Sequence, residues 1–296
     1  MSTPTGILVI GAHRSGTSAI ARTLGLMGAA EASRLMPANG ANPSGYWEAE
    51  AAVAANDRFL CAVGSRWDDP RPLPAAAFSG RAAQAARGEL ARFIEAEFGA
   101  AACFVLKDPR FCRTAPLALG ALADVGARAL VVSPLRSPEA AARSLMARDG
   151  YSETKCVAIW LGGVLAAERL TRGVGRHFVG YERFARDPAA GARALAGELG
   201  CFDAAAVAKA AAPVAEYWAA AGAPASHPPL AAGALAELAA RVHAALRSDA
   251  EPEARALDEA AAEFIRLLRS ASYRRAAMGD ALRELADRVA RKVAGG

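Results

Sequence analysis

A short loop near the start of the chain has the residue types and spacing of an anion-binding site. Residues 11–18 read Gly-Ala-His-Arg-Ser-Gly-Thr-Ser and directly follow the apolar run 7–10. A strand, a glycine-containing loop and a helix start in this order turn backbone N–H groups toward one point, where the helix dipole also favours negative charge. The segment therefore predicts a binding site for a phosphate or sulfate group.

The cation of this loop is displaced from its usual position. Gly11 and Gly16 have the spacing of the phosphate loop of nucleoside triphosphatases, but Thr17 stands where that motif has a lysine. The nearest cation, Arg14, lies inside the loop. This difference points away from triphosphate hydrolysis and toward another phosphate chemistry.

A second pair of residues with anion-binding chemistry lies further along the chain. Arg136 stands at the end of a predicted strand, Pro138 suits the first turn of a helix, and Ser144 lies two turns along that helix. A guanidinium and a hydroxyl placed in this way can hold a second phosphate through charged hydrogen bonds.

The elements that must position these residues alternate between two types. Four short apolar runs predict strands at 7–10, 103–106, 129–132 and 177–180, and helix-period segments predict helices at 17–27, 81–98, 115–125 and 139–147. This alternation predicts an α/β fold with a central parallel sheet that is flanked by helices on both faces. Because ligands of such sheets bind beyond the carboxyl ends of the strands, the polar residues that follow each strand should gather on one rim.

The composition changes near residue 211, which leads us to predict two units. Residues 1–210 form the α/β domain, and residues 211–296, which contain Pro213, Pro224, Pro228 and Pro229 and are then rich in alanine, form a helical C-terminal extension. Two helical faces are predicted in it, formed by Leu257, Ala261, Phe264 and Leu268 and by Leu282, Leu285, Val289 and Val293. We expect a packed extension, with dimerisation or a partner contact as alternatives.

Taken together, the motifs resemble those of sulfotransferases that use 3′-phosphoadenosine 5′-phosphosulfate (PAPS). Ser15-Gly16-Thr17 matches the core of the family's phosphosulfate loop, and Arg136 with Ser144 matches its 3′-phosphate pair. Tyr181-Glu182, followed by Asp187-Pro188, is also common there. The form of the loop and the segment 107–110 (Lys-Asp-Pro-Arg) look more like the bacterial and Golgi-type branches. The resemblance covers residues 6–200.

The resemblance implies a three-layer P-loop-like fold and a donor site. The residues implied to bind PAPS, and its product adenosine 3′,5′-bisphosphate (PAP), are Arg14, Ser15, Gly16, Thr17, Ser18, Arg136, Ser144 and Tyr181. Two features depart from the family: the loop lysine is replaced by Arg14, which keeps the charge, and the glycine-rich segment that covers the nucleotide in the cytosolic branch is absent.

Sulfuryl transfer is an in-line displacement, so we expect Arg14 to stabilise the leaving phosphate and a general base to accept the proton of the acceptor. Glu48, in the segment Gly-Tyr-Trp-Glu, is our first candidate for that base, Asp108 is the second, and His13 is the third. Each also has a purely structural interpretation: a favourable charge at a helix start, an ion pair, and a packed loop histidine. No metal is required, and the histidines lack ligand-like spacing.

Bulk properties exclude several other classes. The chain is 53% hydrophobic, which supports a large core, and its net charge of +5 lies in the first 199 residues, which suits a small polyanion better than a nucleic acid. Five dispersed cysteines indicate reduced thiols and a cytoplasmic protein, and neither a signal peptide nor a membrane span is predicted.

The acceptor is expected to be a hydroxyl or amine on a small molecule or carbohydrate, and a homodimer is possible. The alternatives are a P-loop nucleotide kinase or other phosphotransferase, which lacks its lysine and its magnesium-binding acid here, and a non-catalytic nucleotide-binding scaffold.

Overall fold

A parallel β-sheet with helices on both faces forms the centre of the molecule. The computed structural model describes residues 3–40, 42–220, 226–247 and 253–294, with side chains up to residue 287. In these residues four strands form one sheet in the order β2-β1-β3-β4, and every neighbouring pair is parallel. The strands are β1 (Thr5–Val9), β2 (Cys103–Lys107), β3 (Arg128–Leu135) and β4 (Gly175–Gly180). The prediction of an α/β fold with a central parallel sheet is confirmed.

Helices occupy most of the remaining chain. They are α1 (Thr17–Leu26), α2 (Glu50–Ala62), α3 (Arg81–Phe98), α4 (Phe111–Asp124), α5 (Pro138–Asp149), α6 (Glu153–Leu170), α7 (Tyr181–Arg186), α8 (Pro188–Leu199), α9 (Ala204–Ala220), α10 (Ala234–Leu246), α11 (Ala254–Leu268) and α12 (Ala271–Ala294), with a 3-10 turn at Ala75–Phe78. None of these helices, within the described ranges, is long and apolar enough to cross a membrane.

Both faces of β1 are buried, which creates the three layers. Leu8 and Ile10 pack in a cluster with side chains of α2, α3 and α4, including Phe59. Ile7 and Val9 point to the other side and pack in a cluster with α1, α8 and α9. A strand that is covered on both faces has apolar side chains on both, so its sequence is a continuous apolar run and does not alternate between apolar and polar residues.

The helices after residue 211 pack on α6. Trp160 in α6 is fully buried, in one cluster with Leu238 and Val242 of α10 and Phe264 of α11. The predicted face of Leu257, Phe264 and Leu268 is buried, whereas Leu282 and Leu285 are 60% and 53% exposed. Pro224 and the side chains of Val289 and Val293 lie outside the described part. The boundary that the sequence placed at 210/211 falls inside α9, and the division into two units stays a prediction.

Candidate functional site

Two residues of the loop between β1 and α1 have left-handed backbone angles. Arg14 has φ 66° and Gly16 has φ 89°. A Cβ atom at Gly16 would lie 2.2 Å from a ring carbon of Tyr181, so both the backbone angle and the available space require glycine there. Tyr181 begins α7 directly after β4, and the loop is therefore closed on one side by an aromatic ring.

Two polar side chains of the loop are buried without a hydrogen-bond partner among the described residues. They are Ser15 Oγ, in a residue with no exposed surface, and His13 Nε2, in a residue that is 7% exposed. Buried polar atoms in folded proteins are nearly always paired with protein, water or ligand. The loop therefore has spare donor and acceptor capacity, as a site for an oxygen-rich anion requires.

Arg136 and Ser144 lie against this loop. Arg14 Nε donates to Ser144 Oγ at 2.8 Å, across 130 positions of sequence. Arg136 Nη1 donates to the backbone oxygen of Arg14 at 3.3 Å, and its guanidinium stands 4.9 Å from the centre of the Tyr181 ring. Three segments that are far apart in sequence thus meet at one end of the sheet.

The strand register explains this meeting. Leu135, the last residue of β3, pairs with Gly180, the last residue of β4, so that Arg136 and Tyr181 leave the sheet side by side. Ser137 accepts a hydrogen bond from the backbone N–H of Ala140 and caps α5, the helix that carries Ser144. Burial, followed by the nearby charges of Arg148 and Arg136, lowers the pKa of Arg14.

Lys107 supplies a further cation at the loop, beside Arg14 and Arg136, and sequence reasoning missed this role. It is the last residue of β2 and pairs with Val9, the last residue of β1. Its Nζ donates to Ser18 Oγ at 3.2 Å and to the backbone oxygen of Tyr46 at 2.8 Å. A lysine at the end of a strand next to the loop strand was the available signal, because parallel strands end at the same rim.

Glu48, the first candidate for the base, is paired with this lysine. Lys107 Nζ donates to Glu48 Oε1 at 2.5 Å, and Arg110 Nη1 stands 3.7 Å from Glu48 Oε2. Burial raises the pKa of Glu48, whereas the attraction of Lys107 opposes that rise. The pKa of Lys107 is lowered by burial, and Glu48 opposes that shift in turn. Helix α2 begins only at Glu50, so Glu48 precedes the helix start.

Asp108 has both carboxylate oxygens engaged. Oδ2 accepts from Asn56 Nδ2 at 2.8 Å, and Oδ1 accepts from the backbone N–H and the guanidinium of Arg110, each at 3.0 Å. Asn56 Oδ1 in turn accepts from Thr114 Oγ1 at 2.7 Å. Asp108 is fully buried, and this network describes an ion pair that positions Arg110.

His13 is the third candidate and is packed by aromatic and cationic neighbours. Its ring centre lies 4.5 Å from that of Trp67, and the Arg148 guanidinium stands 4.9 Å from the Trp67 ring on which it packs. Burial is the main cause that lowers the pKa of His13 well below its ordinary value, and the charge of Arg148 is the next. His13 is therefore a neutral imidazole at neutral pH.

The structure brings most of the sequence-predicted residues together. Arg14, Ser15, Gly16, Thr17 and Ser18 form the loop and the start of α1, and Arg136, Ser144 and Tyr181 border it. Glu48 is linked to the loop by Lys107, and Arg110 contacts both Glu48 and Asp108. In the described part of the chain, no group of three His, Cys, Asp or Glu side chains could hold a metal ion.

Comparison with known proteins gives a likeness in fold only. No protein-family model matches the chain, and no curated protein matches its sequence. Among solved structures, the sulfotransferase domain of the olefin synthase from Synechococcus PCC 7002 matches with a TM-score of 0.49 and 15% identity. The match covers 85% of this chain and 98% of that domain. A likeness at this score says nothing about function.

Proposed function

We propose that the chain is a sulfotransferase that moves a sulfuryl group from PAPS to an acceptor hydroxyl or amine and releases PAP. The observation that carries this proposal is the contact between the two predicted anion sites, Arg14 Nε to Ser144 Oγ at 2.8 Å. PAPS carries anionic groups at both the 3′ and the 5′ position of one ribose. A protein that binds it needs two anion sites side by side, and a triphosphate-specific loop needs only one.

The residues of the site fit such a donor. The Ser15 hydroxyl, which has no hydrogen-bond partner among the described residues, and the backbone N–H groups at the start of α1 would hold the 5′ phosphosulfate. Arg136 and Ser144 would hold the 3′-phosphate through charged hydrogen bonds. The donor supplies the reactive sulfuryl group, and the chain supplies binding and charge.

The cations at the rim would lower the barrier to transfer. Negative charge develops on the 5′-phosphate as its bond to sulfur breaks, and Arg14 and Lys107 both stand at the loop. Preorganised cations and N–H groups aimed at a developing charge are worth several kcal/mol in a water-poor site. The Lys107 side chain is 2% exposed, so its charge is poorly screened by solvent.

His13 is the better placed of the candidates for the general base. Its neutral imidazole has an unpartnered nitrogen among the described residues, whereas Glu48 would first have to leave Lys107. Burial is the main cause that lowers the pKa of His13, and the negative charge of a bound donor would offset only the smaller contribution of the nearby cations. We therefore rank His13 above Glu48, which reverses the order that the sequence favoured. If the Glu48→Gln variant lost turnover while His13→Gln retained it, that ranking would be wrong.

Calorimetric titration with PAP tests the donor assignment without knowledge of the acceptor. We expect PAP to bind and Ser144→Ala to weaken it by about tenfold or more, since a hydrogen bond to a charged group is worth about 1.5–3 kcal/mol. Arg14→Ala should weaken it at least as much. The matched control is Arg193→Ala, an exposed arginine on α8, which should bind as the unsubstituted chain does.

Titration and turnover together separate the alternatives. A nucleotide kinase would prefer ATP with magnesium, and a non-catalytic nucleotide-binding scaffold would bind a nucleotide but transfer no sulfuryl group. A kinase also needs a free acid after a strand to hold magnesium, and the Asp108 oxygens are already engaged by Asn56 and Arg110. Preference for ATP over PAP would overturn the proposal. Acceptor trials should begin with carbohydrate and small-molecule hydroxyls, and turnover should survive chelation of divalent metals.

A further inference from the structure

Two thiols are in contact at the end of the sheet opposite the candidate site. Cys103 is the first residue of β2, and Lys107 at the other end of the same strand faces the loop. Cys201 lies between α8 and α9, and its Sγ is 3.4 Å from Sγ of Cys103, across 98 positions of sequence. Both residues are partly exposed, so a small reagent can reach them.

The local backbone allows these sulfurs to approach further. A disulfide needs them about 1.4 Å closer than they stand. Cys201 follows Gly200, which ends α8 in the left-handed region with φ 64°, and it precedes α9, which begins at Ala204. Residues 200–203 belong to no helix, so Cys201 lies in a short irregular segment.

The surroundings also make one thiol reactive. The contact between the two sulfurs is the first cause that lowers the pKa of Cys201, and the charge of Arg128 adds to it. A lowered pKa favours the thiolate, which is the nucleophilic form. By contrast, burial raises the pKa of Cys112 and of Cys156 to about 12.

We propose that Cys103 and Cys201 form a reversible disulfide site that low-molecular-weight disulfides such as oxidised glutathione close. The Cys201 thiolate attacks one sulfur of oxidised glutathione, the bond between its sulfurs breaks, and one glutathione thiolate leaves. Cys103 Sγ then attacks Cys201 Sγ and displaces the second glutathione. The two cysteine protons end on the two released glutathione thiols, so two protein thiols are oxidised as one glutathione disulfide is reduced.

The bond would tie β2 to the helix pair that backs the candidate site. In α9, Trp218 Nε1 donates to Thr23 Oγ1 of α1 at 2.9 Å, and the Trp218 ring centre lies 5.2 Å from that of Tyr181. A crosslink that closes so long a loop restricts the unfolded chain strongly, so the melting temperature should rise by several degrees, up to about 10 °C. This inference does not depend on the proposed function.

The test uses the full chain with the exposed Cys61 replaced, Cys61→Ser, and oxidised glutathione as the probe. We expect titration of thiols in denaturant to show the loss of two, and mass mapping without reduction to join the peptides of Cys103 and Cys201. Dithiothreitol should restore both thiols and the lower melting temperature. Cys112 and Cys156 are internal controls and should remain thiols throughout.

Four results would overturn the proposal: no thiol consumed, a glutathione adduct that persists on Cys201, a bond to a different cysteine, or closure without a rise in melting temperature. Cys201→Ser in the same background should retain the Cys103 thiol and show no oxidation-dependent stabilisation. If that variant does not fold, the unsubstituted chain still decides the question, because peptide mapping identifies the partners directly.

Discussion

Removal of the Lys107 ammonium should destabilise the protein far more than removal of an ordinary lysine. In Lys107→Met the side chain keeps an unbranched apolar stem but loses the ammonium group and its three hydrogen bonds, to Glu48, the Tyr46 backbone oxygen and Ser18. The Tyr46 oxygen still accepts from Ser18 Oγ at 3.0 Å, so it stays satisfied. Glu48 loses its closest ion-pair partner, and Arg110 is then its nearest described cation, at 3.7 Å.

The size of the effect follows from burial. The Lys107 and Glu48 side chains are 2% and 9% exposed, so solvent cannot replace the lost partner. Removal of one member of a buried ion pair costs about 3–5 kcal/mol. The double variant Lys107→Met/Glu48→Gln removes both charges and should recover about 2 kcal/mol of that loss.

The deficit of Lys107→Met should also depend on pH. Burial raises the pKa of Glu48 in the folded state, and in this variant the lysine that opposed the rise is gone. A group whose pKa is higher in the folded than in the unfolded state favours folding at low pH and loses that contribution as pH rises. The loss of unfolding free energy in Lys107→Met should therefore be largest at pH values above the raised pKa of Glu48. It should become smaller as the pH falls through that pKa and Glu48 takes up a proton.

Urea denaturation at several pH values measures the free energy of unfolding directly. The matched control is Lys209→Met, because Lys209 lies exposed on α9. We expect the control to lie within about 0.5 kcal/mol of the unsubstituted chain. If Lys107→Met were no less stable than Lys209→Met, or if the double variant were as unstable as the single one, the Lys107–Glu48 ion pair would not stabilise the fold in the way described.

Three further predictions concern the loop and the C-terminal helix. Gly16→Ala should reduce PAP affinity by at least about tenfold, because its Cβ would lie 2.2 Å from a Tyr181 ring carbon; unchanged affinity in calorimetry would contradict the loop geometry. Burial lowers the pKa of His13, so at mildly acidic pH this residue is protonated in the unfolded chain but not in the folded one. The free energy of unfolding should therefore fall as the pH drops below about 6.5. His13→Gln should flatten that fall in urea titrations at pH 7, 6 and 5, and an equal slope would refute the assignment. Asp280→Ala should lower the free energy of unfolding by about 1–3 kcal/mol, because the Ser152 backbone N–H, which donates to Asp280 at 2.9 Å, loses its acceptor. A decrease of less than about 0.5 kcal/mol in urea denaturation would show that this contact of α12 contributes little to stability.

Local patterns located the sheet but not every helix. The apolar runs at 7–10, 103–106, 129–132 and 177–180 mark the four strands to within a few residues. Helix α6 was not predicted, because it is buried nearly all around and lacks the polar stripe that makes periodicity visible. Its burial is created by α10 and α11, which contact it from far along the chain.

The sequence by itself was enough to predict which segments would carry the chemistry. The order of strand, glycine-containing loop and helix predicts an anion-binding turn at residues 11–18, since such a turn depends on backbone angles and the helix dipole, which are local. The offset from Arg136 to Ser144 likewise predicts a guanidinium just before one helix and a hydroxyl two turns along it. These features need no knowledge of the rest of the chain.

Tertiary structure alone decided which of these groups meet and in what state. The pairing of Lys107 with Glu48, the Tyr181 ring against Gly16 and the thiol contact of Cys103 all join residues that the strand register or helix packing brings together. Burial then sets their charge, because a neutral His13 and a shielded Glu48 result from the removal of water, and water is removed only when the layers close.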